Sequence, residues 1–121
     1  MLIVDDDAGV VETFARMLRL EGYEVSTALD ADAALREVET LHPDAVLLDL
    51  RMPLTDGLTF LRRLRAREEQ RQTPVAILTA DYVVDEATTN ELRELKAEVY
   101  FKPVWIQDLV DITRRLIHRT M

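Results

Sequence analysis

Acidic, hydroxyl and cationic side chains stand in this 121-residue chain at the places where apolar runs stop. Asp5 and Asp6 follow Leu2-Ile3-Val4, Asp49 follows Ala45-Val46-Leu47-Leu48, Thr79 follows Val75-Ala76-Ile77-Leu78, and Lys102 follows Val99-Tyr100-Phe101. Three carboxylates brought together repel by roughly 4 kcal/mol per pair at 4 Å and an effective dielectric near 20, as an upper guide, so their convergence demands a positive partner. Oxygen-only ligands of this sort suit a hard cation such as Mg²⁺, which is held by one or two carboxylates with waters and a phosphate oxygen. Lys102 is one of two lysines in an arginine-rich background and is a point charge suited to a phosphate or a neighbouring carboxylate. Thr79 adds a hydroxyl donor. An aspartate flanked by a metal, a lysine and a hydroxyl is a nucleophile toward phosphorus, giving an acyl phosphate whose new charge the cation and the ammonium stabilise.

Such residues converge only if the elements between them bring the run ends to one edge. The apolar pattern alternates between short β-rich runs and longer 3.6-period stretches, which is the sign of a parallel α/β sheet. Leu2-Ile3-Val4 reads as a first strand, followed by a helix carrying Val10, Val11, Phe14, Met17 and Leu18 and closed by Gly22. Tyr23 to Thr27 reads as the second strand, Asp30 caps a helix through Leu41, and Pro43 stops it before the third strand, Ala45 to Leu48. A third helix carries Leu58, Phe60, Leu61 and Leu64, with Arg62, Arg63, Arg65 and Arg67 as a solvated face. Val75 to Leu78 is the fourth strand, about Asp85 to Leu95 the fourth helix, Val99 to Phe101 the fifth strand. Ile106, Leu109, Val110, Ile112, Thr113, Leu116 and Ile117 form the inner stripe of a last helix. In a doubly wound sheet of this kind ligands sit outside the carboxyl ends of the strands, and strands about 4.8 Å apart bring those ends within reach of one cleft. Asp7 reads as a helix N-cap rather than a ligand, Asp56 and Gly57 as the cap and turn that start the third helix, and His42 and His118 as exposed helix-end residues.

Composition narrows the function classes. With 48 % hydrophobic and 31 % charged residues, the chain reads as one globular domain over residues 1–121. Its longest aliphatic runs, Ala45 to Leu48 and Val75 to Leu78, fall far below the roughly 20 residues of a membrane span, and no leader opens it. The absence of cysteine removes disulfide and thiolate-metal classes and accords with the cytoplasm. A net charge of −8 argues against nucleic-acid binding by this domain, and no glycine-rich loop follows the first strand to cradle a nucleotide.

Taken in order, Leu2-Ile3-Val4-Asp5-Asp6-Asp7, Leu47-Leu48-Asp49-Leu50-Arg51-Met52-Pro53-Leu54-Thr55-Asp56-Gly57, Leu78-Thr79-Ala80 and Phe101-Lys102-Pro103 resemble the receiver domain of two-component response regulators, the chemotaxis regulators among them. The resemblance covers essentially the whole chain. It implies a flavodoxin-like, five-stranded doubly wound parallel sheet of order 2-1-3-4-5 with five helices. It implies that Asp49 accepts a phosphoryl group from a sensor histidine kinase or phosphotransfer protein. Asp5 and Asp6 would bind Mg²⁺ with Asp49, Arg51 would lend its backbone carbonyl to the metal, Thr79 would contact the phosphoryl oxygens, and Lys102 would pair with them. It further implies a cis peptide at Lys102-Pro103 and an output surface on the fourth helix, fifth strand and fifth helix, roughly Asp85 to Arg119. That surface would switch a downstream effector domain or protein or form a homodimer, whether the receiver stands alone or belongs to a longer regulator. Arg51 and Asp81, two residues beyond the acceptor and the threonine, would form a charged pair that tunes the lifetime of the acyl phosphate. One departure bears on the switch: the family's aromatic three residues before the lysine is here Val99. Tyr100 points to the opposite sheet face and cannot replace it. Val99 is the sole support for the alternative, a phosphorylation-independent scaffold of the same fold. An aspartyl-phosphate hydrolase would need a second acid where Arg51 stands.

Overall fold

A computed structural model of the chain describes residues 1–50, 54–79, 85–102 and 105–118, without the side chains of residues 49, 50, 54–56, 106 and 118. The elements are β1 (Leu2–Val4), α1 (Ala8–Leu20), β2 (Ser26–Ala28), α2 (Ala31–Leu41), β3 (Val46–Leu50), α3 (Leu54–Arg65), a 3₁₀ turn (Glu68–Gln70), β4 (Val75–Thr79), α4 (Glu86–Glu94), β5 (Ala97–Phe101) and α5 (Ile106–His118). All strand pairs are parallel and the order is β2-β1-β3-β4-β5, as the resemblance implies. The chain steps from β1 to β2 on one side and then crosses to β3 on the other. The carboxyl ends of β1 and β3 therefore flank the crevice at which the winding reverses.

Period-two alternation sends neighbouring residues of each strand into two separate apolar layers. Leu2, Val4, Val46, Leu48, Val75 and Ile77 join Leu35, Val38, Phe60, Leu61, Leu64 and Leu92, which covers one face with α2, α3 and α4. Ile3, Leu47, Ala76 and Leu78 join Val11, Ala15, Leu18, Leu109, Ile112 and Leu116, which covers the other with α1 and α5. Strands buried on both faces read as unbroken apolar runs, which is why their polar ends stand out in the sequence. Among the described residues, no helix is long and apolar enough to cross a membrane.

Several boundaries differ from the sequence expectation, each for a local reason. The second strand begins at Ser26 rather than Tyr23, because the Tyr23 N–H closes α1: it donates to the Leu18 carbonyl at 3.1 Å while Gly22 N–H donates to Arg19 at 3.0 Å. This 6→1 and 5→2 pair is a Schellman end, and Gly22, with φ +96°, supplies its left-handed residue. The third helix begins at Leu54, so Asp56 and Gly57 lie in its first turn instead of capping it. A glycine there costs about 1 kcal/mol in helix propensity, which burial of Leu58, Phe60 and Leu61 outweighs. β3 runs on through Leu50, and β5 starts at Ala97 after Lys96 turns the chain with φ +59°.

Candidate functional site

The three buried residues of β1 lead directly into Asp5, which is 1 % exposed, and then Asp6, which faces solvent. Asp5 still belongs to the sheet edge, since its N–H donates to the Ala28 carbonyl at 3.2 Å. Its Oδ1 accepts the Asp7 N–H at 3.0 Å. Asp7 in turn accepts the Gly9 and Val10 N–H groups at 2.9 and 3.1 Å, so it is the N-cap of α1, as expected. The start of α1 and the orientation of the Asp5 carboxylate are thus fixed by one turn of chain.

On the neighbouring strands, Val4 pairs with Leu48, so Asp5 and Asp49 each follow that pair by one residue. Asp49 is itself opposite Leu78, and Leu50 is opposite Thr79. Thr79 ends β4 at 1 % exposure, and its carbonyl accepts the Lys102 N–H at 2.8 Å just past the end of β5. Asp5, Asp49, Thr79 and Lys102 therefore stand at the carboxyl ends of four laterally adjacent strands, β1-β3-β4-β5. The carboxylate of Asp49, all of Arg51, the Lys102-Pro103 peptide beyond Lys102, and Asp81 lie outside the described residues. So do the side chains of Asp56 and His118 and the terminal part of the expected output surface at Arg119; His42 is exposed at the end of α2, as expected.

The donor set suits a hard divalent cation: one buried and one exposed carboxylate, adjacent in sequence, with no sulfur or imidazole beside them in the chain. Among the described residues no three His, Cys, Asp or Glu side chains gather into a group that could hold a metal ion. A cavity of about 530 Å³ lies by the opposite ends of the strands among Met1, Tyr23, Glu24, His42, Asp44 and Ile117. Glu24 and Asp44 stand there beside the Met1 amino group, away from the strand ends that carry Asp5, Asp49, Thr79 and Lys102.

Two arrangements were not legible in the sequence. The arginines of α3 are more than a solvated face. Arg62 holds Glu91 of α4 through two hydrogen bonds, which keeps the Glu91 carboxyl below its usual range. Arg63 pairs with Asp32 at 3.2 Å and Arg67 with Glu39 at 2.6 Å. Arg65, half-buried, donates to the carbonyls of Gln70 at 2.6 Å, Leu95 at 2.8 Å and Lys96 at 3.4 Å; that burial draws its guanidinium below the usual value. Except for Gln70, five residues on, these partners stand about thirty residues away in the chain, beyond any local spacing rule. The second is Phe101, the ladder partner of Thr79. Val99 and Tyr100 do face opposite ways, Val99 toward the α2–α4 layer and Tyr100 toward the α1–α5 layer. There the Tyr100 hydroxyl donates to Glu98 at 2.8 Å and the Arg115 guanidinium lies 5.5 Å from the ring centre.

Comparison with known proteins follows the same lines. The family model described as response regulator receiver domain matches residues 1–114. The chain is 39 % identical over 120 residues to the transcriptional regulatory protein PrrA of Mycobacterium leprae, covering 98 % of this chain and 50 % of that protein. It is 37 % identical over 121 residues to the response regulator MprA of Mycolicibacterium vanbaalenii, covering 99 % and 51 %. The chain thus spans about half the length of these relatives. Among solved structures, the chemotaxis protein CheY4 of Vibrio cholerae superposes with a TM-score of 0.81 at 27 % identity, covering 95 % of each chain.

Proposed function

The chain belongs to the response regulator receiver family of two-component signalling systems, and on that premise we propose that Asp49 is its phosphoacceptor, with Asp5, Asp6, Thr79 and Lys102 completing the site over the single unit of residues 1–121. The observation that carries this assignment is the placement of Asp5, Asp49, Thr79 and Lys102 at the carboxyl ends of four adjacent strands, with Asp5 and Thr79 buried.

A carboxylate oxygen of Asp49 attacks the phosphorus of a phosphohistidine on a sensor kinase or phosphotransfer protein. The new O–P bond forms as the P–N bond breaks, and the electron pair leaves with the imidazole nitrogen, which takes a proton from solvent. Lys102 places its ammonium against the transferred oxygens, and the Thr79 hydroxyl donates to one of them. Asp5 and Asp6, with Asp49 and the Arg51 carbonyl, would hold Mg²⁺, which when bound neutralises charge on the phosphoryl oxygens. The fit rests on the oxygen-only donor set and on the Asp7 N–H, which holds Asp5 Oδ1 in one orientation. The chain catalyses its own phosphorylation and dephosphorylation and turns over no other substrate.

The consequence is a population shift: the phosphoryl group favours whichever conformation lets Thr79 and Lys102 reach it. The readout surface is α4, β5 and α5, acting in the cytoplasm on an effector domain or protein or on a second copy of this chain. Incubation with acetyl phosphate with and without Mg²⁺, followed by intact mass, tests the core of this reading. We expect a Mg²⁺-dependent gain of one phosphoryl group that disappears in Asp49→Ala. A gain that survives in Asp49→Ala, or none in the folded wild-type protein, would reject it.

A further inference from the structure

α4 is tied on one side and faces a cavity on the other. Both carboxylate oxygens of Glu91 accept from the Arg62 guanidinium of α3, a fork-on-carboxylate pair that fixes orientation as well as distance. Thr89 and Arg93, each two residues from Glu91 and so about 200° round the helix, stand on its far side. There, with Leu92, they line a cavity of about 280 Å³ whose other wall is Ala97, Val99 and Phe101 of β5. Leu92 is the one buried residue of the helix. The C-terminal end is held through its backbone instead: half-buried Arg65, one turn along α3 from Arg62, donates to the Leu95 and Lys96 carbonyls that follow α4. The Arg62–Glu91 pair, with side chains 54 % and 32 % exposed, opens and remakes far more readily than that anchor. Glu86, the first residue of α4, is seven residues beyond Thr79, so a change at Thr79 reaches the end of α4 remote from Arg65. Resting on the reading of Asp49 as phosphoacceptor, we propose that the Arg62–Glu91 pair is a latch on the readout surface. Closed, it holds α4 against α3 and off β5. Open, it lets α4 pivot about its Arg65-held end onto Ala97 and Val99, and a phosphoryl group that draws Thr79 toward Asp49 favours the open form.

Coupling between two sites is reciprocal, so whatever opens the latch must tighten binding at the phosphoryl site. The probe is beryllofluoride with Mg²⁺, titrated into wild type, Glu91→Gln, Arg62→Gln and the double variant and followed by amide shifts. Adduct formation from acetyl phosphate is read by intact mass in parallel. We expect each single variant to bind beryllofluoride about two- to fivefold more tightly, the range an exposed ion pair supplies, and the double variant to gain no more than either alone. Before beryllofluoride is added, the nuclear Overhauser contact between the Leu92 and Val99 methyl groups should already be stronger in Glu91→Gln than in wild type. Unchanged or weaker beryllofluoride binding in both single variants, gains that add in the double variant, or an unchanged Leu92–Val99 contact would overturn the latch, and an Asp49 adduct in the same samples would leave the acceptor standing. Absence of any adduct in the folded wild-type protein overturns both.

Discussion

Asp7 shows how a carboxylate beside a candidate metal site can be purely architectural. Its side chain caps α1 through Gly9 and Val10, whereas the group that orients Asp5 is the Asp7 backbone N–H. Asp7→Ala should therefore cost about 1 kcal/mol of stability, as lost N-caps do, yet still take up one phosphoryl group from acetyl phosphate. Loss of uptake in a folded Asp7→Ala protein would make it a ligand. Gly22 gives a second residue-level test. An added Cβ there would meet nothing within 4 Å, so Gly22→Ala is penalised by its left-handed backbone alone. Setting a penalty of 1–2 kcal/mol against the reduced entropy of the unfolded chain leaves a net loss of about 1 kcal/mol, or roughly 4 °C in melting temperature.

α4 buries a single residue, Leu92, and is also held by polar and charged contacts at its N-terminus and along one face. Asp85 caps it by accepting the Thr88 N–H at 2.7 Å, and bonds to the Thr88 hydroxyl and N–H pull the Asp85 carboxyl below its ordinary value of 3.8. The Arg62 hydrogen bonds pull Glu91 below 4.5 in the same way. A carboxyl whose folded pKa is depressed stabilises the fold fully above its unfolded pKa, and that contribution is lost as pH falls through the folded value. Amide exchange in α4 should accordingly speed up relative to β1, β3 and β4 as pH drops below the ordinary carboxylate range, after correction for intrinsic rates. The added sensitivity should be reduced in Asp85→Asn and Glu91→Gln. Equal pH response in α4 and the central strands would show that these contacts do not hold the helix. The same scale shows what could be read from sequence. Strand ends were legible because doubly buried strands are apolar until they leave the sheet, and that located Asp5, Asp49, Thr79 and Lys102. The start of β2 was not, because Tyr23 looks like a strand residue while its N–H serves the end of α1. Nor was the grip of Arg62 and Arg65 on α4 and its following turn, because partners about thirty residues apart meet only once the fold exists.

Across the whole molecule, 23 acidic residues face 15 basic ones, and two of the acids proposed for the site adjoin at the end of one strand. In the absence of a cation this arrangement works against the folded state, since unfolding separates the carboxylates. A ligand that binds only the folded chain stabilises it by RT ln(1 + [L]/Kd), about 2.7 kcal/mol at a hundredfold excess over Kd, or a rise on the order of 10 °C for a chain of this length. Mg²⁺ should therefore raise the melting temperature of the unphosphorylated protein well beyond the effect of a monovalent salt at matched ionic strength. Asp6→Asn should melt at or above the wild-type temperature in chelator, because a repulsive charge is gone, and should lose most of the Mg²⁺ response. Asp49→Asn should behave in the same way if its carboxylate shares the ion. The opposite pattern, an undiminished Mg²⁺ response in the Asp5→Asn, Asp6→Asn double variant, would mean that the ion screens the acidic surface at large and that the strand-end carboxylates do not hold it.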